Sequence, residues 1–194
     1  MEILEKTEPE EDLLYLYGEY SFESGSVLKA ANFYEKALLT KGDAFYYYRL
    51  AEIYVKLRFF DRALEVMDKV TDKDYVFLMK QADIYEACSN LPAAIKCIEK
   101  ALVAHKNNIR LWVRLARFYR LSYDSVKAEM SVKMALDIEP DNEEALLEHA
   151  KIKKLSGRTR EYQQILKTIL HGLKRKYRAL DNEIESEIEK EVYG

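Results

Sequence analysis

From Glu11 to Leu173 the chain repeats one alternation: stretches with apolar positions three and four apart, separated by short polar breaks. That spacing lines apolar side chains along one face of a 3.6-residue helix, so each stretch predicts an amphipathic helix of about a dozen residues. The breaks carry capping chemistry. Glu23-Ser24-Gly25-Ser26, Ser89-Asn90-Leu91-Pro92 and Ser156-Gly157-Arg158-Thr159 each divide two helices of a pair. Gly42-Asp43, Asn107-Asn108 and Asp141 with Glu144 divide one pair from the next. Asn90 ahead of a first-turn Pro92 fits a helix start, because the side chain can accept from an otherwise unpaired backbone N–H and proline has none to lose.

The pairs are copies of one another. Ala30, Ala63, Ala94 and Ala128 stand 33, 31 and 34 residues apart, and upstream of each lies a second small residue, Gly18, Ala51, Ala82 or Ala116. Tyr54, Tyr85 and Tyr119 follow that small residue by three positions in the second to fourth copies. Leu14, Tyr47, Leu78 and Trp112 precede it by four. Downstream come Tyr34, Met67, Ile98 and Val132, then Ala37, Val70, Ala101 and Ala135; the fourth copy closes at Pro140. This pattern resembles the tetratricopeptide signature W-x2-L-G-x2-Y…A-x3-F…A…P, whose period is about 34 residues. The fourth copy, from Trp112 to Pro140, matches it best. The small residues fall where helices must approach closely, and the large ones fill the grooves between them.

A fifth copy is partial. Leu146, Ala150 and Leu155 mark its first helix, Gly157 its turn, and Tyr162, Leu166, Ile169 and Leu170 its second. It departs from the signature at His149, at Lys153 where tyrosine is expected, and at Tyr162 where alanine is expected. Beyond Leu173 the apolar positions Leu166, Leu170, Leu173, Tyr177, Leu180 and Ile184 keep a four-three spacing. Such spacing suits either a capping helix or a coiled coil with a second copy. Asp181-Asn182 offers a break, with Asn182 capping a last short helix. The resemblance implies an all-α, right-handed solenoid of about five helix pairs: 11–43, 44–74, 75–107, 108–142 and 143–173. An acidic, unstructured segment (1–10) precedes it and a helical extension (174–194) follows.

Composition narrows the chemistry. Only 6 Gly and 3 Pro occur in 194 residues, which disfavours a turn-rich β fold. The net charge of -3 gives no general attraction to nucleic acid or to an anionic membrane, and the basic run Lys174–Arg178 is followed by an acidic tail. No apolar run approaches a membrane span, and Met1–Asp12 lacks the features of a signal peptide. Cys88 and Cys97 read as reduced, partly buried thiols of a cytoplasmic protein. His105, His149 and His171 have no partner at metal-ligand spacing, and no phosphate loop, dinucleotide fingerprint or nucleophile elbow is present. The expectation is a non-enzyme without cofactor or metal.

The resemblance further implies that the first helix of each pair lines a concave binding surface. On those helices the outward positions are Tyr15, Glu19 and Phe22; Phe45, Tyr48, Arg49, Glu52 and Lys56; Met79, Lys80 and Asp83; Arg110, Val113, Arg114, Arg117 and Leu121; and Leu147, Glu148, Lys151 and Lys154. Arg110, Arg114 and Arg117 fall four and three apart, one basic stripe on one helix face. With Lys80, Lys151 and Lys154 they suggest a positive C-terminal half, while the first two pairs offer aromatic surface flanked by Glu19 and Glu52. A protein or peptide with an acidic part and an apolar anchor would suit both, and guanidinium suits carboxylate. Alternatively, the arginines pair with Glu148, Glu144 and Asp83 and hold the stack together. The Lys and Asn set with which tetratricopeptide co-chaperones grip a C-terminal carboxylate is not matched. The function expected is a protein-binding adaptor; a client-specific chaperone and a self-assembling oligomer are the alternatives.

Overall fold

In a computed structural model, described here for residues 11–40 and 43–193, the chain is all-α. The helices are α1 (Glu11–Glu23), α2 (Val27–Thr40), α3 (Ala44–Lys56), α4 (Phe60–Asp68), α5 (Tyr75–Ala87), α6 (Leu91–Ala104), α7 (Ile109–Leu121), α8 (Ser125–Ile138), α9 (Glu143–Leu155) and α10 (Thr159–Tyr193). No strand occurs among the described residues. The chain forms two compact units, Met1–Ala101 and Leu102–Gly194. The expectation for residues 1–10 lies outside the described residues.

Capping chemistry starts these helices. The carboxylates of Asp43, Asp74 and Asp124 accept from the backbone N–H of Phe45, Phe77 and Lys127. The amide oxygens of Asn90, Asn108 and Asn142 accept from Ala93, Leu111 and Ala145. The cap of α9 is therefore Asn142, one residue beyond the Asp141 expected from the sequence.

One turn recurs five times. Gly25, Arg58, Ser89, Tyr123 and Gly157 all have positive φ, between 60° and 79°. In each case the N–H of that residue donates three positions back, as from Gly25 to Phe22 O at 3.2 Å and from Tyr123 to Arg120 O at 3.1 Å. The next N–H donates five positions back, as from Ser26 to Ser21 O and from Asp124 to Tyr119 O. These paired bonds satisfy the last carbonyls of the first helix and turn the chain into the second.

Inside the first unit, Ala30, Ala63, Ala82 and Ala94 are fully buried and Ala51 nearly so. Tyr34, Ile53, Met67 and Ile98 are the largest fully buried side chains around them. The second unit repeats the scheme with Ala116, Ala128, Ala135 and Ala145 fully buried against Leu111, Phe118, Val132 and Ile152. The single tryptophan keeps its signature place on α7, and its indole N–H donates to the carbonyl of Lys106 at 2.7 Å.

The fifth pair is the departure. Lys153, in the tyrosine slot, is only 6% exposed, and its ammonium pairs with Glu129 at 3.1 Å and Glu161 at 2.8 Å. The long aliphatic stem fills the tyrosine's space, and two carboxylates offset the cost of burying the charge. Asp181-Asn182 does not break the chain: α10 runs through it to Tyr193. Asp and Asn cost a helix only about 0.7 kcal/mol each, and no Gly or Pro lies nearby to enforce a stop.

Candidate protein-binding surface

In the first unit, the outward positions of α1, α3 and α5 form a chain of alternating charges rather than separate patches. Glu19 of α1 accepts from Arg49 of α3 at 2.5 Å, and Arg49 also reaches Glu52 at 3.0 Å. Glu52 in turn pairs with Lys80 of α5. Beneath Glu19 the phenol of Tyr34, from α2, donates a hydrogen bond to its carboxylate. Burial, then the neighbouring Glu19, holds the Tyr34 phenol well above the usual tyrosine range, so it stays protonated. Despite the cost of partial burial, Lys80 and Arg49 hold the Glu52 carboxyl below the ordinary glutamate value. Thus the acidic flank expected around the aromatic surface, and the free lysine expected at residue 80, neutralise one another.

Aromatic rings surround this chain. Tyr15 meets Phe45 edge-on with centroids 5.6 Å apart, and the Arg49 guanidinium lies 5.7 Å from Phe45 and 5.8 Å from Phe22. The Lys56 ammonium sits 3.6 Å from the Phe22 centroid. Beside them opens a cleft of about 210 Å³, walled by Phe22, Tyr48, Ala51, Val55 and Ile84 and rimmed by Glu52, Lys56, Lys80 and Asp83. Its walls are apolar and its rim charged, with both signs represented. Ala51 and Ile84 carry no outward signal in the sequence, since both fall at core positions of their helices; only the packing of α3 beside α5 opens them to the cleft.

In the second unit, Arg110 and Arg117 are exposed, and the half-buried Arg114 lies over the ring of Phe118 at 5.3 Å. The stripe is therefore present on α7. The carboxylate of Glu148 is only 3% exposed and pairs with Arg120, and with Lys151 at 3.5 Å. Two expectations are corrected here: Glu148 and Val113 belong to the interior, where both are at most 4% exposed. Arg120 was not singled out by the repeat pattern, although it follows Arg117 by three positions. Its role depends on where α9 brings Glu148.

Among the described residues no group of His, Cys, Asp or Glu could hold a metal ion, and no helix is long and apolar enough to cross a membrane.

No protein-family model and no curated protein sequence matches the chain. Solved structures do. A MamA protein is similar over 87% of this chain and 94% of its own, at 16% identity and a TM-score of 0.68. A tetratricopeptide repeat protein from Parabacteroides merdae is similar over 85% of this chain and 67% of its own, at 16% identity and a TM-score of 0.72. The fold is that of the tetratricopeptide repeat. A putative kinesin light chain of nearly identical TPR-like repeats, from Podospora anserina, agrees at a TM-score of 0.71 and 13% identity, over 84% of this chain and 94% of its own. In tetratricopeptide terms the cleft and the ion-pair chain both lie on first helices of the pairs, α1, α3 and α5.

Proposed function

We propose that this protein is a non-catalytic adaptor that seats a segment of another protein on the first helices of its repeats, with an apolar side chain anchored in the cleft beside Tyr48. The carrying observation is the cleft itself: apolar walls from Phe22, Tyr48, Ala51, Val55 and Ile84, large enough for one or two side chains, inside a charged rim. Such an anchor pocket with polar surroundings is how an interface gains most of its energy from few residues. Tyr15, Arg49 and Lys80 extend the contact along the same helices. The rim presents Lys56 and Lys80 beside Glu52 and Asp83, so the partner segment carries charges of both signs near its anchor. In the second unit Arg110, Arg114, Arg117 and Lys151 suit an acidic stretch, through the bidentate geometry of guanidinium on carboxylate. The free thiols of Cys88 and Cys97 suit a reducing, cytoplasmic setting.

The test is affinity capture with the full chain, compared with Tyr48→Ala and with Arg114→Glu. A partner held by the wild type and lost from Tyr48→Ala, while the helical CD signal and melting temperature persist, supports the cleft. Equal capture by Tyr48→Ala and the wild type removes it.

A second reading, self-association through α10, is favoured by a separate observation. Leu166, Leu170 and Tyr177 are 37%, 53% and 66% exposed on one face of that helix.

A further inference from the structure

Two helices keep an apolar row outside the packing, and the charges beside the two rows are opposite. In α1, Leu14 and Ser21 turn inward and are at most 6% exposed, whereas Leu13, Leu16, Tyr17 and Tyr20 are 41–71% exposed. At 100° per residue these four fall within an arc of about 100°. Tyr17 also stacks on the half-buried Phe33 of α2, with centroids 5.4 Å apart, which widens the patch. Outer faces of a helical repeat stack are ordinarily polar, and contiguous apolar surface there marks an interface. The second row is on α10, where Leu166, Leu170 and Tyr177 are exposed and fall within about 40° of one another.

Charge selects the pairing. Arg160, Lys167, Lys174 and Arg178 follow one another at seven, seven and four residues along α10, all exposed. They form one basic row within about 120° of Leu166, on a single side of the apolar row. In sequence α1 has Glu11, Asp12 and Glu23 besides the paired Glu19, and no Lys or Arg. Two α1 rows laid together would set acid against acid, and two α10 rows laid about their middle would set base against base. We propose that the exposed row of α1 in one copy receives the exposed row of α10 in another. This rests on the self-association reading above and names the face that α10 meets. The two surfaces differ, so the contact is heterologous: a copy that has used one surface still offers the other, and assembly proceeds to rings or open chains.

The test is light scattering with size exclusion on the full chain over a range of concentrations. The wild type is expected to exceed the monomer mass and to grow with concentration. Leu16→Lys with Tyr20→Lys blocks α1, and Leu170→Glu with Tyr177→Glu blocks α10. All four side chains are exposed, so helical CD signal and melting temperature should persist. Each variant alone should be monomeric, and a mixture of the two should form a one-to-one dimer, since each supplies the surface the other lacks. Lys167→Glu with Lys174→Glu leaves both apolar rows intact and should raise the Kd at least roughly tenfold. A monomeric wild type, or an α10 variant that still associates alone, overturns both self-association through α10 and this pairing. An α1 variant that still associates alone, a mixture that stays monomeric, or a Kd unmoved by the lysine substitutions overturns the pairing with α1 and leaves α10 as the contact.

Discussion

Gly18 of α1 lies against the ring of Tyr34 of α2 so closely that a Cβ on residue 18 would stand 2.8 Å from the ring's Cζ and 2.9 Å from Cε1. Tyr34 cannot swing aside cheaply, because its ring is fully buried and its hydroxyl donates to Glu19. Gly18→Ala is therefore expected to destabilise the first unit by about 1–3 kcal/mol through overpacking. Chemical denaturation would show a lower midpoint with an unchanged slope, and a midpoint equal to that of the wild type would contradict it. The pairing of Gly18→Ala with Tyr34→Phe should be non-additive, since both act at one contact.

The five left-handed turns differ in what they cost. Gly25 and Gly157 adopt the conformation freely, whereas Tyr123 adopts it with a Cβ, at φ 60°. The left-handed conformation costs an L-residue roughly 1–2 kcal/mol, partly offset by the greater chain entropy of glycine in the unfolded state. Tyr123 is 87% exposed, so its ring contributes little packing. Tyr123→Gly should raise stability by about 0.5–1 kcal/mol. A drop in melting temperature would count against this account of the turn.

Removal of Arg120 should be costly because Glu148 is buried beneath it. After Arg120→Ala the ion pair left to the carboxylate among the described residues is that with Lys151, at 3.5 Å and half in solvent. Stranding a buried charge costs about 3–5 kcal/mol, and residual solvent access to the site puts the expected loss near the lower end. The double variant Arg120→Leu with Glu148→Leu should recover much of that loss. A single variant within ~0.5 kcal/mol of the wild type would mean that the pair is not buried in solution.

Acid should weaken the second unit through His149. Burial, then the Lys153 ammonium, lowers its pKa below the usual histidine value, while Glu129 and Glu161 oppose the shift. A folded-state pKa below the unfolded one means that the unfolded chain takes up the proton first. The contribution is intact above the unfolded value near 6.5 and is lost as pH falls below it. Melting temperature should thus decline from pH 7 to 5.5, and His149→Gln should flatten that decline. Glu52, whose pKa is lowered, acts in the same direction but only as pH approaches the glutamate range. Identical pH profiles for wild type and His149→Gln would remove the histidine from the account.

Much of this protein was legible in one dimension because its fold is a local rule applied repeatedly. Helix pairs, their turns and their small-residue contacts depend on residues within about 34 positions of one another, so the spacing of Ala30, Ala63, Ala94 and Ala128 carried the architecture. Most outward helix positions were legible for the same reason, being one turn apart on one helix, but Val113 and Glu148 proved to be interior. Which of those positions keep a free charge was not. Glu19, Arg49, Glu52 and Lys80 sit on three helices up to 61 positions apart, and only lateral packing of α1, α3 and α5 closes them into one ion-pair chain. The burial of Glu148, the lysine in the tyrosine slot of the last pair, and the cleft between Tyr48 and Ile84 were likewise decided in three dimensions. Periodicity sets which way a side chain points from its own helix, while its neighbours are supplied by helices whose distance in the chain no local pattern encodes.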